Sequence, residues 1–247
     1  MGQIDIIGIG PGAYDMMTLR AIKALEAADI IIGYHVYTEL LKPHFPNKNF
    51  LTTPMRKEEE RCKMAVEEAC KDQRVAFVCS GDAGVFGMAG LIYEFASGHD
   101  LVLDVIPGIT AATSGAAVLG APLIPDFAVI SLSDWLTPWE AITKRLHNCA
   151  EAGMSIVLYN PSSNKRPDYL QKACDILLEV LPEETICGTA MNIGREGECG
   201  NIYTLKELRD TKVDMFTTVF IGNTTTKVVD GKMVTPRGYG YERENRE

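Results

Sequence analysis

The stretch that most restricts this chain is Val75–Gly90, VAFVCSGDAGVFGMAG. Its apolar opening, Val75 to Val78, does not alternate with polar residues, so it reads as a strand buried on both faces. Helices on both sides of a mainly parallel sheet then follow as the expected architecture. The strand breaks at once into Ser80-Gly81-Asp82-Ala83-Gly84, with Gly87 and Gly90 beyond. Glycines there let the backbone turn with positive φ and let a ligand approach closely. In open α/β sheets, ligands bind outside the carboxyl ends of the strands. Asp82 is the one charge in the loop; it either accepts from a ligand's hydroxyls or amine, or satisfies amides of its own turn. The same arrangement recurs twice. Ile4 to Ile9 runs into Gly8-Ile9-Gly10-Pro11-Gly12, and Leu101 to Ile106 runs into Pro107-Gly108-Ile109-Thr110-Ala111-Ala112.

Around these loops the first half reads β-α-β-α-β-α-β. A helix is expected over Thr18–Ala28 with Thr18 as N-cap, and a strand at Ile30–Ile32 ends in Gly33-Tyr34-His35. Pro43 to Pro54 reads as an irregular connection. Met55–Lys71 reads as a charged helix whose solvated face is supported by i,i+4 pairs. A helix from about Met88 to Phe95 follows the central loop. Small residues at Ser114-Gly115-Ala116-Ala117 would let a helix pack closely on a sheet or a ligand. The prolines of Ala121-Pro122-Leu123-Ile124-Pro125 stiffen a link, giving expected domains of 1–121 and 122–247.

The second half restarts with strand Phe127–Ser131. Thr137-Pro138-Trp139-Glu140 matches a capping box with Thr137 as N-cap. Strands are expected at Ser155–Tyr159, Thr185–Met191 and Met215–Ile221, helices at Pro167–Val180 and, briefly, from Tyr203 to Leu208. Asp230-Gly231 signals a hairpin, making the final stretch antiparallel. The polar tail after Tyr239 is expected to fray.

A net charge of −9 over 247 residues argues against non-specific nucleic-acid binding. No apolar run reaches the length of a membrane span, the first residues lack a basic leader, and Ile6 spoils any myristoylation signal at Gly2. Seven scattered cysteines without a CxxC pair or a Cys/His cluster fit reduced thiols in the cytoplasm, not disulfides or a metal site. Gly8-Ile9-Gly10-Pro11-Gly12-Ala13 formally matches GxGxxA, so an NAD-dependent oxidoreductase is a rival reading. Against it, Pro11-Gly12 prolongs the loop before the helix, and the strand Ile30–Ile32 does not end in an acid.

Taken together, Gly8–Gly12, Ser80-Gly81-Asp82 and Pro107–Ala111 resemble the tetrapyrrole methylases. Gly33-Tyr34, Gly81–Gly90, Ser131-Leu132-Ser133-Asp134, Leu136–Trp139, Tyr159-Asn160-Pro161 and Val234–Tyr239 are similar to the branch of precorrin-3B and cobalt-factor III C17-methyltransferases. The resemblance spans essentially the whole chain. It implies two α/β domains with the cofactor cleft between them, and S-adenosylmethionine as methyl donor. The reaction implied is methylation at C17 with ring contraction of a corrin precursor in cobalamin biosynthesis. Cobalt-factor III is the preferred substrate, and metal-free precorrin-3B is the alternative.

The resemblance places cofactor contacts at Pro11, Ser80, Gly81, Asp82, Val85, Phe86, Thr110, Ala111, Tyr159, Asn160 and Met191. Ser133 and Asp134 are candidates for acid/base work during ring contraction. The substrate carries many carboxylates, and Lys165, Arg166, Arg195 and Arg237 could hold them; each could equally be solvated surface charge. The branch implies a homodimer and no metal bound by the protein. A corrinoid carrier without turnover is the binding-class rival, and the three intact cofactor loops speak against it.

Overall fold

The computed structural model describes residues 1–163 and 165–238; Tyr239 and the tail lie outside these. The chain divides into two compact units, residues 1–111 and 112–247.

In the first unit, the elements are β1 (Gln3–Gly8), α1 (Leu19–Ala27), β2 (Ile30–Tyr34), α2 (His35–Leu41), β3 (Asn49–Thr53), α3 (Glu58–Ala69), β4 (Arg74–Cys79), α4 (Ala89–Ala96) and β5 (Val102–Ile106). The strands form one sheet in the order β3-β2-β4-β1-β5, every pair parallel. Side chains alternate across a strand, and both faces are covered. Ile4, Ile6, Ile30, Ile32, Val75 and Phe77 share a core with residues of α3 and α4. Ile7, Ile31, Ala76 and Val78 share another with residues of α1 and α2. This double covering is why the central strands β2 and β4 read as apolar runs.

Thr18 caps α1 as expected, its side chain accepting from the Ala21 amide. The stretch expected to be irregular instead contains β3, which follows the unforeseen α2. An edge strand needs only one buried face, so Asn49-Phe50-Leu51-Thr52-Thr53 carries too few apolar residues to announce itself. On α3, the expected i,i+4 pairs are replaced by i,i+3 pairs at its ends, Lys57–Glu60 and Glu68–Lys71. Arg61, expected on the solvated face, is buried.

The second unit contains α5 (Ala111–Leu119), β6 (Gly120–Ala121), β7 (Phe127–Ser131), α6 (Trp139–Glu151), β8 (Ser155–Tyr159), α7 (Tyr169–Leu178), β9 (Ile186–Met191), β10 (Cys199–Thr204), α8 (Leu205–Arg209), β11 (Thr217–Ile221), β12 (Lys227–Val229) and β13 (Lys232–Val234). Its main sheet runs β10-β9-β11-β8-β7, with only β7–β8 parallel. Residues of α6, α7 and α8 pack on one face against Ile156, Leu158, Val219 and Ile221. On the other face lies α5. A Cβ on Gly115 would come within 2.8 Å of the Phe220 ring, and one on Gly188 within 2.6 Å of Leu119. The small residues of α5 are therefore there for close packing on the sheet.

The division between units falls at Ala111–Ala112, before the prolines at 122 and 125. The reason is that α5 packs on the second sheet, and β6 pairs with β13. The Asp230-Gly231 hairpin forms as read, both residues at positive φ, 49° and 74°, joining antiparallel β12 and β13. The capping box expected at Thr137 is absent: the N-cap of α6 is Pro138, without a side-chain cap. A box forms instead at Thr204 and Glu207, at the start of α8.

Candidate functional site

Because all five strands of the first sheet are parallel, their carboxyl ends share one edge. The three glycine loops leave that edge from β4, β1 and β5, which are adjacent strands. The first two are joined main chain to main chain. Gly10 N donates to Gly81 O (3.0 Å), and Gly81 N donates back to Gly10 O (2.7 Å), both residues at positive φ. Each oxygen of Asp82 accepts one amide: Oδ1 from Gly84 N at 2.8 Å, Oδ2 from Gly108 N at 2.9 Å. Asp82 thus ties the second loop to the third, with one amide on each oxygen. Charge-assisted bonds of this kind are among the stronger ones a loop can make.

Three glycines meet where the loops cross. A Cβ on Gly8 would lie 2.7 Å from both Gly108 N and Gly81 O, and one on Gly108 would lie 2.1 Å from Gly81 O. No side chain fits: the crossing is packed backbone against backbone, with Gly8 and Gly81 buried and Gly108 half-buried. Around it stand buried Pro11, half-buried Ser80, Val85 and Thr110, and Phe86, exposed and at φ 52°. The sequence placed these residues on separate loops; the fold brings the loops to one sheet edge.

In the second unit, Tyr159 and Asn160 close β8. The Tyr159 hydroxyl accepts from Ala112 N at 2.7 Å, in the first turn of α5. Asn160, at φ 54°, donates from Nδ2 to Ser131 Oγ at 2.9 Å, and Ser133 N donates to the same oxygen at 3.2 Å. Ser131, last residue of β7, therefore organises both strand ends. Met191 is half-buried at the end of β9.

Ser133 and Asp134 are brought together with Arg166. Arg166 Nε lies 2.6 Å from Asp134 Oδ1, and its Nη1 donates to Ser133 Oγ at 3.3 Å. The other oxygen of Asp134 accepts from the Tyr169 hydroxyl. Tyr169 was missed by sequence reasoning, because its place in the first turn of α7 looks like packing alone; it does also pack against Trp139, ring centroids 4.7 Å apart and the planes tilted by 53°. Donation to Asp134, reinforced by partial burial and the carboxylate's charge, raises the Tyr169 phenol above its ordinary value of 10.0. Asp134→Asn removes that charge, so the phenol is expected to ionise at lower pH, read by ultraviolet difference titration. An unchanged titration would mean that Asp134 does not control the phenol.

The remaining basic residues are dispersed. Lys165 is exposed beside the Ser163–Arg166 turn, Arg237 is exposed beyond β13, and half-buried Arg195 sits 5.9 Å from the Phe216 ring centroid. Burial pushes the Cys79 thiol up to about 11 and those of Cys62 and Cys174 up to about 12, which keeps them un-ionised and poor nucleophiles. Among the described residues, no His, Cys, Asp or Glu cluster could hold a metal, and no helix is long and apolar enough to cross a membrane.

Residues 3–209 match the family model of the tetrapyrrole (corrin/porphyrin) methylases. The chain belongs to this family. It is 46% identical over 239 residues to a probable cobalt-factor III C(17)-methyltransferase of Salmonella typhimurium, an alignment covering 96% of this chain and 99% of that protein. A precorrin-3B C(17)-methyltransferase of a Sinorhizobium species is 38% identical, covering 96% and 97%. The crystal structure of the methyltransferase CobJ superposes with a TM-score of 0.88 at 34% identity, covering 96% of this methylase and all of that chain. The two-unit α/β fold is thus that of a tetrapyrrole methylase, as the loops implied.

Proposed function

We propose that this methylase is the S-adenosylmethionine-dependent C17-methyltransferase acting on cobalt-factor III, methylating and contracting the ring to give cobalt-precorrin-4. The observation that carries the reading is the close crossing of three glycine loops at the carboxyl edge of the parallel sheet, where Gly8, Gly81 and Gly108 pack backbone to backbone. The Salmonella relative, matched almost end to end, supports the choice of the cobalt-bound substrate. When bound, S-adenosylmethionine supplies a methyl group on a sulfonium, whose leaving group is a neutral thioether.

The chain's own work is positioning. The three loops would hold the donor through main-chain groups, with Pro11, Ser80, Asp82, Val85, Phe86, Thr110 and Ala111 beside it; Tyr159, Asn160 and Met191 are the further cofactor contacts that the family resemblance implies. Fixing donor and carbon nucleophile at near-attack distance in a dry site supplies most of the acceleration such a displacement needs. No covalent nucleophile is required, in keeping with the raised cysteine thiols. Ser133 and Asp134 would move protons during ring contraction, with Arg166 and Tyr169 setting the charge of the carboxylate. The reading includes a cytoplasmic homodimer.

Two measurements test this. S-adenosylhomocysteine should raise the melting temperature and NAD should not; the reverse would restore the oxidoreductase. Under anaerobic conditions with methyl-labelled S-adenosylmethionine, label should enter cobalt-factor III. Label entering only precorrin-3B would move the enzyme to the oxygen-dependent route.

A further inference from the structure

Arg61 is 4% exposed, yet no carboxylate pairs with it among the described residues. Its Nε donates to Thr53 Oγ1 at 3.0 Å, and its Nη1 has only the Met88 sulfur at 3.8 Å. The guanidinium carbon lies 5.9 Å from the Tyr34 ring centroid. A neutral hydroxyl, a thioether and an aromatic ring do not replace the hydration of a buried cation. The only fully enclosed side-chain polar atom without a partner among the described residues is Gln73 Oε1. Nη2, which has no protein acceptor, therefore keeps an edge open to solvent. A guanidinium with one free edge is preorganised for a carboxylate.

Its position in the sheet says which one. Tyr34 ends β2 and Thr53 ends β3, so Arg61 stands at the carboxyl edge of the first sheet, over β3-β2, while the glycine loops occupy β4-β1-β5. Two strand spacings separate β2 from β1, about 10 Å. One sheet edge thus carries the glycine loops on one half and, beside them, a buried cation on the other. We propose that Arg61, flanked by Tyr34, Thr53 and Met88, binds a peripheral carboxylate of the tetrapyrrole substrate. This rests on the functional reading above.

The test is equilibrium binding of a carboxylate-fringed tetrapyrrole, uroporphyrin III, followed by its absorption band, in the parent and in Arg61→Met. Methionine fills similar volume without charge, and the desolvation cost of the buried cation that it removes offsets the lost bond to Thr53, so the variant should melt close to the parent. Tetrapyrrole affinity should fall at least about tenfold, while the melting shift with S-adenosylhomocysteine is retained. Arg61→Lys, which keeps the charge but loses the fork, should bind several-fold more weakly than the parent and serves if the methionine variant does not fold. Parent-like affinity in either folded variant overturns the proposal and leaves the methyltransferase reading standing. No tetrapyrrole binding by the parent itself overturns both. If inorganic phosphate raises the parent's melting temperature without displacing the porphyrin, the site is one for free anions and the proposal also fails.

Discussion

Gly108→Ala is expected to abolish the melting shift given by S-adenosylhomocysteine and to lower methyl transfer at least about a hundredfold. The added Cβ would sit 2.1 Å from Gly81 O and 2.6 Å from the carbonyl carbon of Gly8. Both neighbours are backbone, held by the reciprocal Gly10–Gly81 pair and by Asp82. No side-chain rotation relieves the clash, so the loops must part, and the geometry proposed to hold the cofactor is lost with them. Overpacking of this kind costs typically about 1–3 kcal/mol in a core. Gly90→Ala is the internal control. Nothing lies within 4 Å of its would-be Cβ, and it sits in the first turn of α4, where alanine is the better helix former by up to about 1 kcal/mol. That variant should be as stable as the parent or more so, with cofactor binding intact. A normal cofactor shift in Gly108→Ala would show that the crossing of the three loops is not what binds.

The largest loss of stability is expected from Arg74→Met, a change remote from the loops. Asp5 lies in the middle of β1 and is fully buried; its carboxylate is held by Arg74 Nε at 2.7 Å and by Gln3 Nε2 at 2.6 Å. Removing the guanidinium strands a buried charge, at a cost of roughly 3 kcal/mol or more. In a chain of this length that corresponds to a fall in melting temperature on the order of 10 °C. Removing both charges together, as Asp5→Leu with Arg74→Met, should recover most of the loss, because a buried pair contributes little over an apolar replacement. A single variant melting within about 1 °C of the parent would mean that Asp5 needs no partner.

The first sheet was legible because its central strands are covered twice. Val75–Val78 has no polar residue and Ile4–Ile7 only the buried Asp5, and each leads into glycines whose spacing is dictated by backbone contact at Gly8, Gly81 and Gly108. Strand β3 was not legible, since an edge strand with exposed Asn49 and Thr52 carries no such signature. Strand β10 was hidden for a similar reason: it is an edge strand with exposed Gly200 and Asn201. Asp82, Ser133, Asp134 and Arg166 were legible as residues but not as partners. Their roles depend on which amide or hydroxyl the fold sets opposite them, and Tyr169 entered only through such a pairing. Arg61 was hidden by its neighbours: Glu58, Glu59, Glu60 and Lys63 are exposed, and a single buried cation in that run follows only from which face of α3 meets the sheet.

The short ladder between β6 and β13 bears on how the chain comes together as it is made. Gly120 and Ala121 find their strand partners in Met233 and Val234. The carbonyl of Pro122 is held by the Thr235 hydroxyl across a separation of 113 residues. Those partners do not exist while the intervening sheet is being synthesised. The first unit has every strand of its own sheet by residue 106, so it can close early on the ribosome. The segment after α5 must stay open until nearly the last described residue has emerged, and the second unit is completed from its far end backwards.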